Sequence, residues 1–494
     1  MATQKVPTLD GSGRVRDKHL PARLGEGELS ATILDKIKTD AVPKWKPNTA
    51  YLAGEKVLSP SGDVVSAKVN FTAGASFSNT NWNFSSVYAT QAALATATTP
   101  RRYARPQFRT IPGGSWTFAP SLDAGATLDT AYADVGPLST TAIRVLTNGA
   151  GNPVLRQTFT TPVDMTGKQW VLWVKLPDMT LTKNLTLYAY DTTLTSSNMW
   201  TFQVYGPSSN LNSPKYVIHP NTWTPIVIPW DPTSVAGTPN RAAVNRIHLA
   251  LSDNNTGTPV DFRFAPKVGM ADQSPAFTTG AVSITIDDSV NLDVIKPKLT
   301  QYGYPATLFP IGETLGTGGR PTPLELRTLV DNLGWEVAAH AALTADHVSV
   351  EDLSQADRLA NFGRVKQWHT DNGFPTDVYA WPNGTSSEPA FADLRGFYSV
   401  ARGVGTGWLE TLPPGRPEYL RTIVVSATTT AATIQGWIDR AVAANCWLIL
   451  CFHSVVASGA TGQATNQAVF DAIVDYIATK NTQVLTVGDV MRKL

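Results

Sequence analysis

From Gly280 to the end of the chain, strand-length apolar runs alternate with helical patterns: AVSITI, NLDVIKPKLTQYG, ATLFPI, LELRTLVDNLG, WEVAAH and QADRLANFGRVKQWHTDNG follow in order. WLILCFHS and QAVFDAIVDYIATKN complete the series, and TVGDVMRKL reads as a closing segment. Repeated strand-helix units return to the sheet by crossover, which predicts a mainly parallel, barrel-like α/β fold. Three of the apolar runs deliver polar groups at their ends, in ITIDDS, EVAAHAALTADH and LILCFHS. A barrel gathers its chemistry at the carboxyl ends of its strands, so Asp287, Asp288, His340, His347 and His453 are candidates for one hydrolytic metal site.

At 494 residues the chain exceeds what one hydrophobic core organises, and several domains are expected. Between residues 111 and 275, TAIRVLT, VLRQTFT, QWVLWVKL, LTLYAYD, WTFQVYG, WTPIVIPW, RIHLALS and VDFRFAP are spaced by Gly, Asn, Pro and Asp turns. That density of short strands predicts a β-sandwich of jelly-roll type. Such sandwiches often bind carbohydrate, but core packing accounts equally well for Trp170, Trp173 and Trp230. Residues 43–84 read as a small three-stranded β unit resembling the chitin-binding-type carbohydrate-binding modules in its Trp45, Tyr51, Gly54, Val57, Gly62, Ala67 and Trp82. Trp45, Tyr51 and Trp82 are therefore either sugar-stacking rings or the unit's own core, since so small a fold depends on its large aromatics. Residues 85–110, an Ala/Thr-rich run ending in PRRYARPQFR, read as a linker or oligomer neck, and residues 1–42 hold a short helical pattern at Leu29, Ile33 and Ile37.

The net charge of +1 supplies no basic stripe, and no nucleic-acid partner is expected. The only cysteines, Cys446 and Cys451, share one apolar segment and read as buried hydrophobes. The N-terminus has no apolar signal-peptide core, and the apolar stretch around Trp447–Phe452 is too short to span a bilayer, so neither signal-peptide secretion nor membrane insertion is expected.

ITIDDS, WPNG and LILCFHS occur in the order of the strand-terminal aspartate pair, the Pro-aromatic-Gly loop and the late histidine strand of the polysaccharide deacetylases, the NodB-homology carbohydrate esterases. Residues 280–494 resemble that family, and YGYPATLFP looks like its second strand. Neighbouring side chains at a strand end diverge, so an aspartate pair can divide its labour. The resemblance implies Asp287 as general base, and Asp288, His340 and His347 as ligands of a divalent metal, Zn first, with Co, Ni or Mn as alternatives. It further implies that the Trp381, Pro382 and Asn383 loop meets substrate, with the Asn383 N–H on the oxyanion, and that His453 protonates the departing amine or alkoxide. Three departures stand out. The family's second histidine normally follows the first by four residues, where this chain has Thr344; His347 lies seven on, and completion of the ligand set by Thr344 or water is the alternative. The arginine that usually precedes the loop is missing from VYAWPNG, and Arg402 in FYSVARG takes its place by similarity to members with an arginine there. Asn383 replaces the loop's aromatic.

The same residues have plainer readings. Asp287 and Asp288 could cap a helix starting near Val290, while His369, His219 and His248 fit structural roles. The opening GSGRVRDKHLPARLGEGELSAT resembles the attachment segments of phage tail fibres and minor tail proteins. That likeness implies a receptor-binding protein of the virion tail, joined to other tail proteins through its N-terminus, trimeric, and acting on acetyl groups of host cell-surface glycan. The rival is a non-catalytic glycan-binding tail protein with a degenerate barrel.

Overall fold

The computed structural model describes residues 46–84 apart from 53–55, 59–63 and 76–80, and residues 108–494 apart from 121, 123, 179–180, 206–217, 254–255 and 405–407. The chain divides into two compact units, Met1–Thr99 and Pro100–Leu494. The attachment segment, the helix expected at Leu29–Ile37, Trp45 and nearly all of residues 85–110 lie outside the described residues.

In the first unit Ala50–Tyr51 pairs with Phe71–Thr72, while Lys56–Leu58, Val64–Ala67 and Trp82–Phe84 form an antiparallel three-stranded sheet. Tyr51 packs with Val57, Ala67 and Ala73 in a small core and is 4% exposed. Its hydroxyl accepts from the Lys46 N–H at 2.7 Å and donates to the Lys46 carbonyl at 3.2 Å. Tyr51 is therefore a core ring and not a sugar platform, because a unit this small has little else apolar to bury.

The second unit opens with two antiparallel sheets over one core. One runs Ser234–Ala236, Met199–Tyr205, Thr182–Asp191, Val244–Asp253, Val154–Val163 and Thr117–Phe118 across its width. The other runs Arg109–Thr110, Gly269–Asp272, Lys168–Lys175, Asp261–Phe264, Ala142–Leu146 and Thr127–Tyr132, with Thr224–Ile228 also paired to Lys168–Lys175. Alternate residues such as Leu185, Leu187 and Ala189 turn inward, as a two-residue side-chain period requires. Trp170 and Trp230 stack inside at 6.0 Å between ring centres, so packing accounts for both.

From Ala281 the chain builds a ring of short parallel strands. Ala281–Asp287 pairs with Thr307–Phe309 on one side and with Trp447–Phe452 on the other. Thr307–Phe309 pairs with Glu336–Val337, and a bridge from Ala339 to Tyr379 carries the wall to Val378–Ala380 and its partner Val400–Arg402. A bridge from Arg402 to Leu420 leads to Ile423–Val424, which returns to Trp447–Phe452 and closes the ring. The central strands are buried along their whole length: Trp447–Phe452 reads as an unbroken apolar run, and in Ala281–Asp287 the buried Ser283 and Thr285 hydroxyls donate to the Leu485 and Leu450 carbonyls. Helices cover the outside. Pro323–Leu333, for example, starts on a reciprocal Thr322–Glu325 cap and stops at Gly334, whose φ of 66° is left-handed. Cys446 and Cys451 are free and buried.

Candidate active site

The Ala281–Asp287 strand ends in the acidic pair, and the two carboxylates then part. The next helix is Leu292–Tyr302, capped at Asn291 without a side-chain bond, so neither aspartate serves as its cap. Asp288 and Ser289 stand at φ 57° and 52°, a left-handed turn that costs a non-glycine residue energy. The Asp288 N–H donates to the Phe309 carbonyl at 3.0 Å, and its own carbonyl accepts from Arg320 Nε at 3.2 Å. The backbone is thus held on both sides while the side chain is left for the cleft.

Asp287 is buried under Arg402, whose Nη2 donates to both carboxylate oxygens at 2.6 Å. Burial opposes charge on Asp287, yet the nearby Arg402, His453 and His340 together outweigh it and hold its carboxyl below the usual range. Arg402 comes from the Val400–Arg402 strand, across the ring from Asp287 in sequence but against it in space. His453, just beyond the end of Trp447–Phe452, brings Nε2 within 3.8 Å of Asp287 Oδ2.

His340 donates from Nδ1 to the Ala380 carbonyl at 3.0 Å, which leaves the Nε2 lone pair for a ligand. Burial drives its pKa down to about 4 against the attraction of Asp287, so the imidazole is neutral at neutral pH. His347 Nε2 lies 3.0 Å from His340 Nε2. The seven-residue interval is taken up by a 3-10 turn at Thr344–Asp346. Buried Asp346 fixes that turn: its carboxylate accepts the Leu343 N–H at 3.1 Å and pairs with Arg364 at 2.5 Å, while Asn361 Nδ2 donates to its carbonyl at 3.0 Å. Thr344 sits exposed on the turn and donates its N–H to Glu313, while His347 supplies the imidazole beside His340.

One donor atom each from Asp288, His340 and His347 lies within 4.8 Å of the others. Asp288 Oδ1 is buried without a hydrogen-bond partner among the described residues. Two imidazole nitrogens and an orphaned carboxylate oxygen converging on one point fit a divalent cation. A second cluster, Asp287, Cys451 and His453, is as compact but unsuited to one. There the carboxylate already faces a guanidinium, and burial pushes the Cys451 thiol up so that it stays protonated.

Both clusters open on a cleft of about 490 Å³, bordered also by Asn383, Thr461 and Gln463. Asn383 turns at φ 56°, which asparagine tolerates, and a Cβ on the following Gly384 would strike Val404. Trp381 departs from expectation. Although it borders the cleft, it is fully buried against Phe362, Tyr379 and Phe391, and its indole N–H donates to the Glu418 carbonyl at 2.8 Å. It anchors the loop from below while still bordering the cleft. Asp346, Arg364, Arg320 and the Ala380 carbonyl were not legible as site components, since none belongs to a local motif.

Residues 275–396 match the family model described as Polysaccharide deacetylase, and this part of the chain is a polysaccharide deacetylase domain. The match spans Asp287 through Asn383 and stops short of Arg402 and His453. No curated protein matches. Similar solved structures include a family 4 acetyl xylan esterase from Clostridium thermocellum in complex with a cobalt ion, at 17% identity and a TM-score of 0.30, covering 43% of this chain and 90% of that one. The chitin deacetylase of the fungal pathogen Colletotrichum lindemuthianum is similar at 18% identity and 0.30, covering 43% and 87%. A CE4 family pseudoenzyme from Bacillus anthracis is similar at 12% identity and 0.30, covering 43% and 66%.

Proposed function

We propose that the cleft hydrolyses acetyl groups from a glycan with the help of a divalent metal, zinc in the first instance. The observation that carries this reading is the convergence of Asp288, His340 and His347 beside a buried, arginine-paired Asp287. Asp288, His340 and His347 would hold the metal, which when bound supplies Lewis-acid polarisation of the acetyl carbonyl and acidifies water. Asp287, kept anionic by Arg402, takes the proton of the attacking water. The Asn383 N–H, at the turn of the loop, faces the carbonyl oxygen as negative charge gathers on it. His453 donates a proton to the departing amine or alkoxide, and acetate is the second product. Trp381 and Pro382 serve by holding that loop.

Delivery of His347 to His340 favours catalysis over the rival of a degenerate, glycan-binding barrel. The wider setting we propose is the tail of a phage particle, with host-surface glycan as substrate, other tail proteins bound through the first 42 residues, and three chains per assembly. Its support is the likeness of the opening residues to tail attachment segments; a solution mass near one chain of 53.1 kDa in light scattering would remove the trimer.

The direct test is acetate release from acetylated chito-oligosaccharides and from bacterial cell-wall glycan, for wild type and Asp288→Ala, with chelator and metal add-back. Release that needs both metal and Asp288 is the expected result. Metal-loaded protein that releases no acetate from either substrate would return the weight to the glycan-binding rival.

A further inference from the structure

The cleft has a neighbour. A cavity of about 450 Å³ lies where the sandwich meets the barrel, walled by Gln203 and Asp231 of the sandwich and by Trp408, Thr433, Trp437 and Arg440 of the barrel. Val424, at the end of its barrel strand, borders both this cavity and the cleft that holds His340 and His453. The two spaces therefore share a wall residue on that short strand.

The lining has the chemistry of a neutral sugar site. Trp408 and Trp437 are partly exposed rings, suited to the C–H faces of a pyranose. Around them stand hydroxyl-binding groups: Gln203, Thr433, and the Asp231–Arg440 pair, joined by two bonds of 3.0 and 2.5 Å. The opposite charges of that pair cancel, so the cavity offers no net attraction to a polyanion. Arg440 also lies 4.2 Å from the Trp437 ring centre, which fixes the indole before any ligand arrives.

We propose that this cavity is a distal subsite for the same glycan chain whose acetyl group enters the metal cleft, so that the sandwich takes part in substrate recognition. The proposal rests on the deacetylase reading of the cleft and adds that the substrate is a polymer of neutral sugars, bound across Val424 by both halves of the unit. Occupation of the subsite would confer a preference for long chains over short ones.

The test compares an acetylated chitohexaose with a dimer and with a small acetyl ester, using the full chain as wild type, Trp437→Ala and Thr433→Trp. Thr433 is exposed on the rim, so the larger ring fills the cavity without disturbing a core. Both replacements are expected to raise KM for the hexamer roughly five- to tenfold while leaving the dimer and the ester unchanged. Equal KM for hexamer and dimer in the wild type, or variants that lose nothing on the hexamer, would overturn the subsite while leaving the deacetylase standing. Tryptophan-fluorescence titration with the hexamer reads binding apart from turnover. A response in the wild type that Thr433→Trp abolishes supports the subsite even if no acetate is released, and no response in any protein overturns it.

Discussion

Asp287 and Asp288 are adjacent in sequence and opposite in circumstance. One is buried and matched by Arg402; the other carries an orphaned oxygen toward two imidazoles. Replacing each by asparagine should separate their roles. Asp287→Asn is expected to keep bound metal, measured by elemental analysis, while acetate release drops roughly 10²- to 10⁴-fold. Asp288→Asn is expected to lose the metal. Loss of metal from both variants would mean that the labour is not divided in this way. Arg402→Met should strand a buried carboxylate, costing about 3–5 kcal/mol in chemical denaturation, and Arg402→Lys should restore part of the loss. The acidic pair, His340 and His453 were legible because each ends an apolar run. Arg402 was legible only through likeness to other proteins, since its partner lies 115 positions away along the chain. The burial of Trp381 was not legible, because a sequence does not say which side of a loop faces solvent.

Among the elements, length decided what the sequence could tell. Ala281–Asp287, Trp447–Phe452 and the helices that follow them, Leu292–Tyr302 and Gln467–Ala478, show a clear period or an unbroken apolar run. Ile423–Val424 spans two residues and shows none, Glu336–Val337 is legible only as part of the longer WEVAAH run, and the ring closes partly through single bridges. The helix Ala431–Ala444 escaped notice because its alanines and small polar residues blur the apolar stripe. The 3-10 turn at Thr344–Asp346 had no signal of its own, yet it is what brings His347 home. Asp346→Ala removes the carboxylate that ties Leu343 and Arg364. Metal affinity is expected to weaken about 10- to 100-fold in a competition titration with chelator, with the circular dichroism spectrum unchanged. Unaltered affinity would mean that the turn holds its shape without that carboxylate.

Over the whole second unit, buried neutral histidines tie stability to pH. Burial, with Lys366 nearby, holds His369 at about 3, and burial with Arg416 nearby holds His219 at about 4. An unfolded chain titrates its histidines near 6.5, so it takes up protons first. The stability contributed by these neutral rings is complete above pH 6.5 and is lost as pH falls from there toward 4 and 3, by up to about 1.4 kcal/mol per pH unit for each ring. Melting temperature should fall between pH 7 and pH 5, and His369→Phe should flatten the decline; an identical slope in that variant would refute the assignment. The same unit is fastened across its middle. Arg421 of the barrel is buried and donates to the Val227 carbonyl of the sandwich at 2.6 Å and to the Leu409 carbonyl at 3.2 Å, and a Cβ on Gly415 would strike Val227. A guanidinium spent on a neighbour's backbone makes poor material for recombination. Any exchange that grafted this barrel behind a different sandwich would inherit a buried cation with half its acceptors gone, so these two halves are expected to travel through evolution as one inseparable piece.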